Sequence, residues 1–289
     1  MGRYVNPFTD QGFKIVFGQE AHKDLLIDFL NELLKGERQV EDISYVNTEI
    51  RPETYRGRVV IFDILCKETD GSFFLLEMQN QYQDFFLDRG LYYLCRIINN
   101  QGKKGKDWNY DLRPVYGIYF VNFSLPGMHE FRTDIQLTDL KTGRPVSTKL
   151  RQIYLSMSLF TKGHDECEND FERWLYLLKN MDILERMPFK AQKAIFEKLL
   201  DVAEVANLDE SQRQEYDATL KAYRDYINTV RTSDRIAREQ GVKEGLTRGR
   251  AEGRVETNQE NALRMKQKGY PLEDIADITG LSVDEIAGL

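Results

Sequence analysis

Phe62-Asp63-Ile64-Leu65 and Leu75-Leu76-Glu77-Met78-Gln79 set acidic and amide groups inside two strongly apolar segments. Residues 58 to 67 and 72 to 80 read as adjacent strands joined at Thr69-Asp70-Gly71. A glycine at the end of that triplet can take the left-handed conformation that closes a three-residue hairpin. With this loop Glu68 faces Ser72, and counting back brings Asp63 opposite Glu77 on one face. Gln79 shares the face, because side chains alternate along a strand. A two-residue loop would turn Asp63 to the other side. Burying a carboxylate costs several kcal/mol unless a cation or a donor meets it. Two that sit close together therefore ask for a metal.

Working outward, Leu25, Leu26, Phe29, Leu30, Leu33 and Leu34 recur at helical spacing and predict a helix over 20 to 35, ending at Gly36. Residues 7 to 18 form an entry segment before it, and residues 42 to 51 a first strand. A helix over 84 to 101 carries an apolar stripe of Leu87, Leu91, Leu94 and Ile98, with Arg89, Tyr92 and Arg96 on another. Pro114 opens an apolar strand, 115 to 121, of the kind covered on both faces. Residues 131 to 140 and 146 to 160 predict a further hairpin. The fold class is α/β, a mixed sheet flanked by helices and followed by an all-helical C-terminal region.

From about 168 the pattern is helical. Phe171, Trp174, Leu175 and Leu178 mark one helix, and Ala191, Ile195, Leu199 and Val202 a second. A third starts at Leu208-Asp209-Glu210. Domain limits of 1–165, 166–232 and 233–289 follow. In the last of these Gly241, Gly245, Gly249 and Gly253 recur every four residues. Each costs a helix roughly 1 kcal/mol relative to alanine, so the stretch reads as a connector, a weak helix or a site of close helix contact. Residues 260 to 289 have the look of a helix-turn-helix, with Ser282 and Glu285 as a capping box. Asp284 and Glu285 on so short a final helix suit a cap or assembly element better than a base reader. Arg231 to Arg254 is the better candidate for phosphate contact.

The 289 residues are 41% hydrophobic and 30% charged, enough for a packed core. Net charge is -7, so any nucleic-acid contact needs a local basic patch. No apolar run has membrane-spanning length, and the first residues lack a secretory pattern, so the expected compartment is the cytoplasm. Three scattered cysteines and three scattered histidines disfavour a disulfide framework, a zinc site and a Ser-His-Asp triad. Oxygen ligands favour Mg2+ or Mn2+.

Phosphodiester cleavage needs an activated water and neutralisation of developing charge, which carboxylate-held metal supplies. Asp63 and Glu77 are the candidate ligands, joined by the backbone carbonyl of Met78. Gln79 would orient water but carries no charge, where many nucleases place a lysine. A plain alternative pairs Asp63 with Arg89 and leaves Glu77 at a sheet margin.

These segments resemble the PD-(D/E)XK nuclease superfamily, and more narrowly its recombination-promoting nuclease (Rpn) and transposase branch. The similar pieces are Phe8-Thr9-Asp10, Gly12-Phe13-Lys14, Phe17-Gly18, Phe62-Asp63-Ile64 and Glu77-Met78-Gln79. Arg89 to Tyr93, Trp174 to Met181 and the Ile275 to Ser282 stretch add to them. The resemblance implies a helix-wrapped nuclease core, Mg2+-type dependence (or Mn2+ or Ca2+), DNA as substrate, and Asp63, Glu77 and Gln79 as the catalytic triplet. Phe62, where the superfamily often has proline, departs from the pattern. Gln81, Glu49, Arg89, Tyr92, Arg96 and Lys14 are secondary candidates. The leading expectation is a metal-dependent DNA endonuclease without a membrane anchor, with homo-oligomer formation through the C-terminal helices. Its competitor is a catalytically silent binding or assembly module. Transposase strand joining has no separate support in the residues.

Overall fold

Gly71 adopts φ of +90°. Its N–H donates to the Glu68 carbonyl at 2.9 Å, and the Glu68 N–H donates to the Ser72 carbonyl at 2.9 Å. The three-residue loop is thus the one that forms. It sets Lys67 opposite Phe73 and Ile64 opposite Leu76. The computed structural model describes residues 2–50, 59–103, 108–189 and 193–289.

The hairpin strands are β4 (Ile64–Glu68) and β5 (Phe73–Gln79), preceded by β1 (Ile43–Tyr45), β2 (Glu49–Ile50) and β3 (Val60–Ile61). Later come β6 (Val115–Val121), β7 (Arg132–Thr138) and β8 (Pro145–Ser156). Among the described residues one six-stranded sheet runs β1-β4-β5-β6-β8-β7, and β2 pairs with β3 apart from it. The β5, β6 and β8 strands are parallel, while β1 with β4, β4 with β5, and β7 with β8 are antiparallel. This is the mixed sheet expected.

Two expected strands are each broken. The one over 42 to 51 divides into β1 and β2, and the one over 58 to 67 divides into β3 and β4; residues 51 and 58 lie outside the described residues. The second break falls at Phe62-Asp63, where the Phe62 N–H turns to the Thr48 carbonyl and carboxylate oxygens receive the Asp63 and Met78 N–H groups.

Helices cover both faces. The first side holds α1 (Asp10–Phe17), α2 (Lys23–Leu33), α4 (Asp170–Asn180) and α5 (Ala194–Ala203). Phe17, Phe29, Trp174 and Phe196 pack there with Ile64, Leu76, Phe120 and Leu155 of the sheet. The other side holds α3 (Phe86–Asn99), whose Phe86, Leu94 and Ile97 pack on Leu65, Leu75, Tyr119 and Tyr154. The strand β6 is buried on both faces, as its unbroken apolar run requires.

Three helix readings change. The entry segment is itself helical, because Thr9 caps α1 by accepting the Gly12 N–H. The helix over 20 to 35 is a 3-10 turn, Glu20–His22, followed by α2. On α3, Leu87 and Leu91 are exposed, and the buried stripe is Phe86, Gly90, Leu94 and Ile97. Gly90 is there for closeness: a Cβ would stand 3.1 Å from the Tyr119 and Tyr154 hydroxyls. Ala191, expected in a helix, lies outside the described residues.

Met1–Tyr223 form one compact unit and Arg224–Leu289 a second. Trp174, Phe196, Tyr216 and Leu220 belong to the same core as the strands, and the stretch expected as a domain over 166–232 is divided between the two units. The helix α6 (Glu210–Gln267) runs unbroken through all four spaced glycines. Pairs such as Arg235–Glu239 at 2.8 Å and Arg248–Glu252 at 2.6 Å support it at i, i+4. Within the second unit Ala262 of α6 packs with Ile275 of α7 (Leu272–Thr279) and Ile286 of α8 (Val283–Gly288). Gly269 and Gly280, with φ of +80° and +71°, make the turns, and the Ser282–Glu285 capping box forms.

Candidate metal and phosphate site

The β4–β5 ladder is regular as far as Ile64 and Leu76, and the side chains of the next pair continue it. The Met78 N–H donates to Asp63 Oδ2 at 2.8 Å, and the Asp63 N–H donates to Glu77 Oε1 at 3.1 Å. Each carboxylate is therefore gripped by one backbone amide. Glu77 is 6% exposed, and Asp63 is partly buried. Among the described residues neither has an ion-pair partner, so the pairing of Asp63 with Arg89 is not what forms.

Electrostatics follow from this placement. Burial, then the Asp63 charge, pushes the Glu77 carboxyl up to about 8, against the lesser pull of the Asp63 N–H and of Arg89. Burial likewise raises Asp63, opposed by the Met78 N–H. Desolvation and nearby negative charge, from Asp63 on Glu77 and from Asp10 on both, thus leave the pair short of positive charge.

The end of β5 is tied to the chain's entry, since the Asn80 side-chain amide donates to the Phe8 carbonyl. Asp10 and Lys14 of α1 consequently come near enough to act on Asp63 in opposite senses. They also pair with each other at 2.9 Å. A family model for PD-(D/E)XK nuclease family transposases matches residues 7–233. The chain belongs to this family. The match supports a nuclease-like or transposase-related function, and it spans the sheet, its helical cover and the first part of α6. No curated protein and no solved structure matches the chain.

In this PD-(D/E)XK chain Gln79 follows Glu77 by two on the α3 side of β5, where alternation puts it. Its Oε1 accepts from Arg89 Nη2 at 2.7 Å, and its Nε2 donates to the Gln81 carbonyl at 2.9 Å. Both ends of the amide are engaged, so holding a water would mean giving up one of these bonds. Arg89 also donates to Gln83 Oε1 at 2.7 Å and lies 5.1 Å from the Phe86 ring centroid.

Other candidates are placed differently. The strand ends at Gln79, so Gln81 is not on its alternating face and contributes its carbonyl instead. Glu49 stands in the separate β2–β3 pair opposite Ile61. It lines a cavity of about 800 Å³ with Lys67, Phe73, Trp108 and Arg113. Tyr92 is exposed, and Arg96 lies about 10 Å along α3 from Arg89. Asp10 and Gln83 lie outside the residues to which the sequence points as the site. The Phe8-Thr9-Asp10 resemblance was the one signal for Asp10, which is 53 residues from Asp63 in sequence.

Proposed function

We propose that the chain is a divalent-metal-dependent DNA endonuclease that hydrolyses phosphodiester bonds. The observation that supports this best is the facing pair Asp63 and Glu77, the second buried and neither ion-paired among the described residues. A hard divalent cation fits that donor set. Among the described residues no group of three or more His, Cys, Asp or Glu side chains is arranged to hold a metal. The protein's share would be the two carboxylates and the Met78 carbonyl, and Mg2+ commonly keeps several waters beside few protein ligands. Mn2+ or Ca2+ would be held by the same oxygens.

When bound, such an ion activates water and neutralises charge developing on the phosphate. The chain's own residues prepare for this. The Met78 amide fixes one oxygen of Asp63, and the Asp63 amide fixes one of Glu77. Burial by the α3 side of the sheet keeps the dielectric low, which strengthens their pull on a cation. Gln79, the third residue of the expected triplet, stands beside them and accepts from Arg89.

The setting we assign is cytoplasmic processing of recombination or mobile-element DNA. Among the described residues no helix is long and apolar enough to cross a membrane. Supercoiled plasmid, incubated with and without Mg2+, tests the reading. Nicking should appear with the metal and vanish in Asp63→Asn and Glu77→Gln; nicking that persists in both variants would remove it.

A silent assembly module is the second reading, and the C-terminal unit favours it. Val242, Leu246 and Val255 are each at least half exposed along a helix whose four spaced glycines have no described residue against them. Homo-oligomers formed through this helical region, together with no metal binding, would decide for it.

A further inference from the structure

Gln79 occupies the place where the superfamily's lysine would bring positive charge, and it is neutral. The structure sets a cation directly upon it. We propose that Arg89, positioned by Gln79, supplies the positive charge that grips the reacting phosphate. This rests on the nuclease reading and adds to it the source of that charge.

Three features carry the assignment. Firstly, Gln79 is oriented. Its Nε2 is spent on the Gln81 carbonyl, which leaves Oε1 to receive Arg89 Nη2 at 2.7 Å. Secondly, the guanidinium is held from several directions. Nη1 reaches Gln83 Oε1 at 2.7 Å, and the Phe86 and Tyr93 ring centroids lie at 5.1 and 5.7 Å. Thirdly, its partners are neutral amides and rings. Among the described residues Arg89 pairs with no carboxylate, so its charge is not cancelled locally. It is close enough to favour ionisation of both Asp63 and Glu77.

The remaining chemistry suits a phosphate. A guanidinium has five N–H donors in a fixed fork, and two hydrogen bonds leave others for phosphate oxygens. Lysine and arginine differ here, since arginine reads the two oxygens as a pair. Gly90 explains how the helix brings Arg89 so close. Without a Cβ, α3 rests on Tyr119, whose hydroxyl donates to the Gly90 carbonyl at 2.9 Å. Arg89 is thus a catalytic residue in this proposal, and Gln79 a positioning residue.

The test compares wild type, Arg89→Met and the double variant Gln79→Lys/Arg89→Met, each checked for an unchanged melting temperature. One readout needs no metal. Anisotropy of a labelled DNA duplex in EDTA is followed across KCl concentrations. Loss of one phosphate contact should lower the salt slope of log affinity by ~0.9 in Arg89→Met. Plasmid nicking in Mg2+ should fall about 100-fold, the size of one lost charge-stabilising donor. The double variant, with its cation moved to position 79, should regain at least ~10-fold of that loss and restore the slope. Should Arg89→Met melt early, Arg89→Gln carries the same expectations. An unchanged salt slope in folded Arg89 variants overturns the proposal, whether nicking is kept or lost. A wild type that never nicks would sink the nuclease reading alone, because the slope in EDTA still reports on Arg89.

Discussion

Asp63 and Glu77 are laced across two strands: the Asp63 amide bonds the Glu77 carboxylate, and the amide next to Glu77 bonds the Asp63 carboxylate. The arrangement fixes two carboxyl groups face to face. It stabilises their positions and not their ionisation, since burial and repulsion outweigh one amide bond apiece.

Metal-free stability should therefore fall as pH rises. Glu77 titrates near 4.5 in an unfolded chain and at about 8 in the fold. Between those values the folded protein holds a proton that the unfolded chain has released. The contribution is full below about pH 4.5 and is lost as pH climbs through 8. Urea unfolding in EDTA should lose on the order of a few kcal/mol between pH 5 and 8.5. Glu77→Gln, which cannot ionise, should flatten most of that slope; an equally steep slope in the variant would show that the charge lies elsewhere.

Mg2+ should reverse the same loss. Its ligands must be deprotonated, so the rise in melting temperature on adding Mg2+ should be larger at pH 8 than at pH 5.5. Asp63→Asn should abolish the rise at both. Equal rises in wild type and variant would assign the ion to another site.

Gly90→Ala should destabilise the first unit. Its new Cβ meets Tyr119 Cζ and two tyrosine hydroxyls, each at 3.1 Å, in a packed layer. Overpacking of this kind costs about 1–3 kcal/mol. Chemical denaturation measures it, and a variant as stable as wild type would mean that α3 has room to slide.

The glycines of α6 allow a contrasting experiment. Among the described residues no atom lies within 4 Å of a Cβ added at Gly241, Gly245, Gly249 or Gly253. Replacing all four by alanine should strengthen the helix by roughly 3–4 kcal/mol in total. Slower amide exchange across residues 236 to 258 would register that gain. Faster exchange, with loss of oligomers, would instead reveal a close helix partner along the stripe.

How much of this could be read from residues alone depends on the kind of signal. The hairpin register was legible, because Gly71 fixes the loop and alternation does the rest. The apolar stripe of α3 is only partly legible, since Leu87 and Leu91 are apolar yet exposed, while Gly90 is buried for its smallness. Hydrophobic spacing cannot register a residue selected for lacking a side chain. The break at Asp63 depends on an acceptor across the hairpin, and Asp10 reaches the site through the Asn80–Phe8 tie; both are tertiary facts. The glycine-spaced stretch forms an unbroken helix, where propensity left a connector, a weak helix and close helix contact all open; i, i+4 ion pairs such as Arg248–Glu252 offset part of the cost.

Calorimetric titration of Mn2+ into metal-free protein at pH 8 tests most directly whether Asp63 and Glu77 share a cation. We expect saturable binding in wild type that disappears in both Asp63→Asn and Glu77→Gln while each variant remains folded. Binding that survives unchanged in the two variants, or no binding in wild type, would contradict the account.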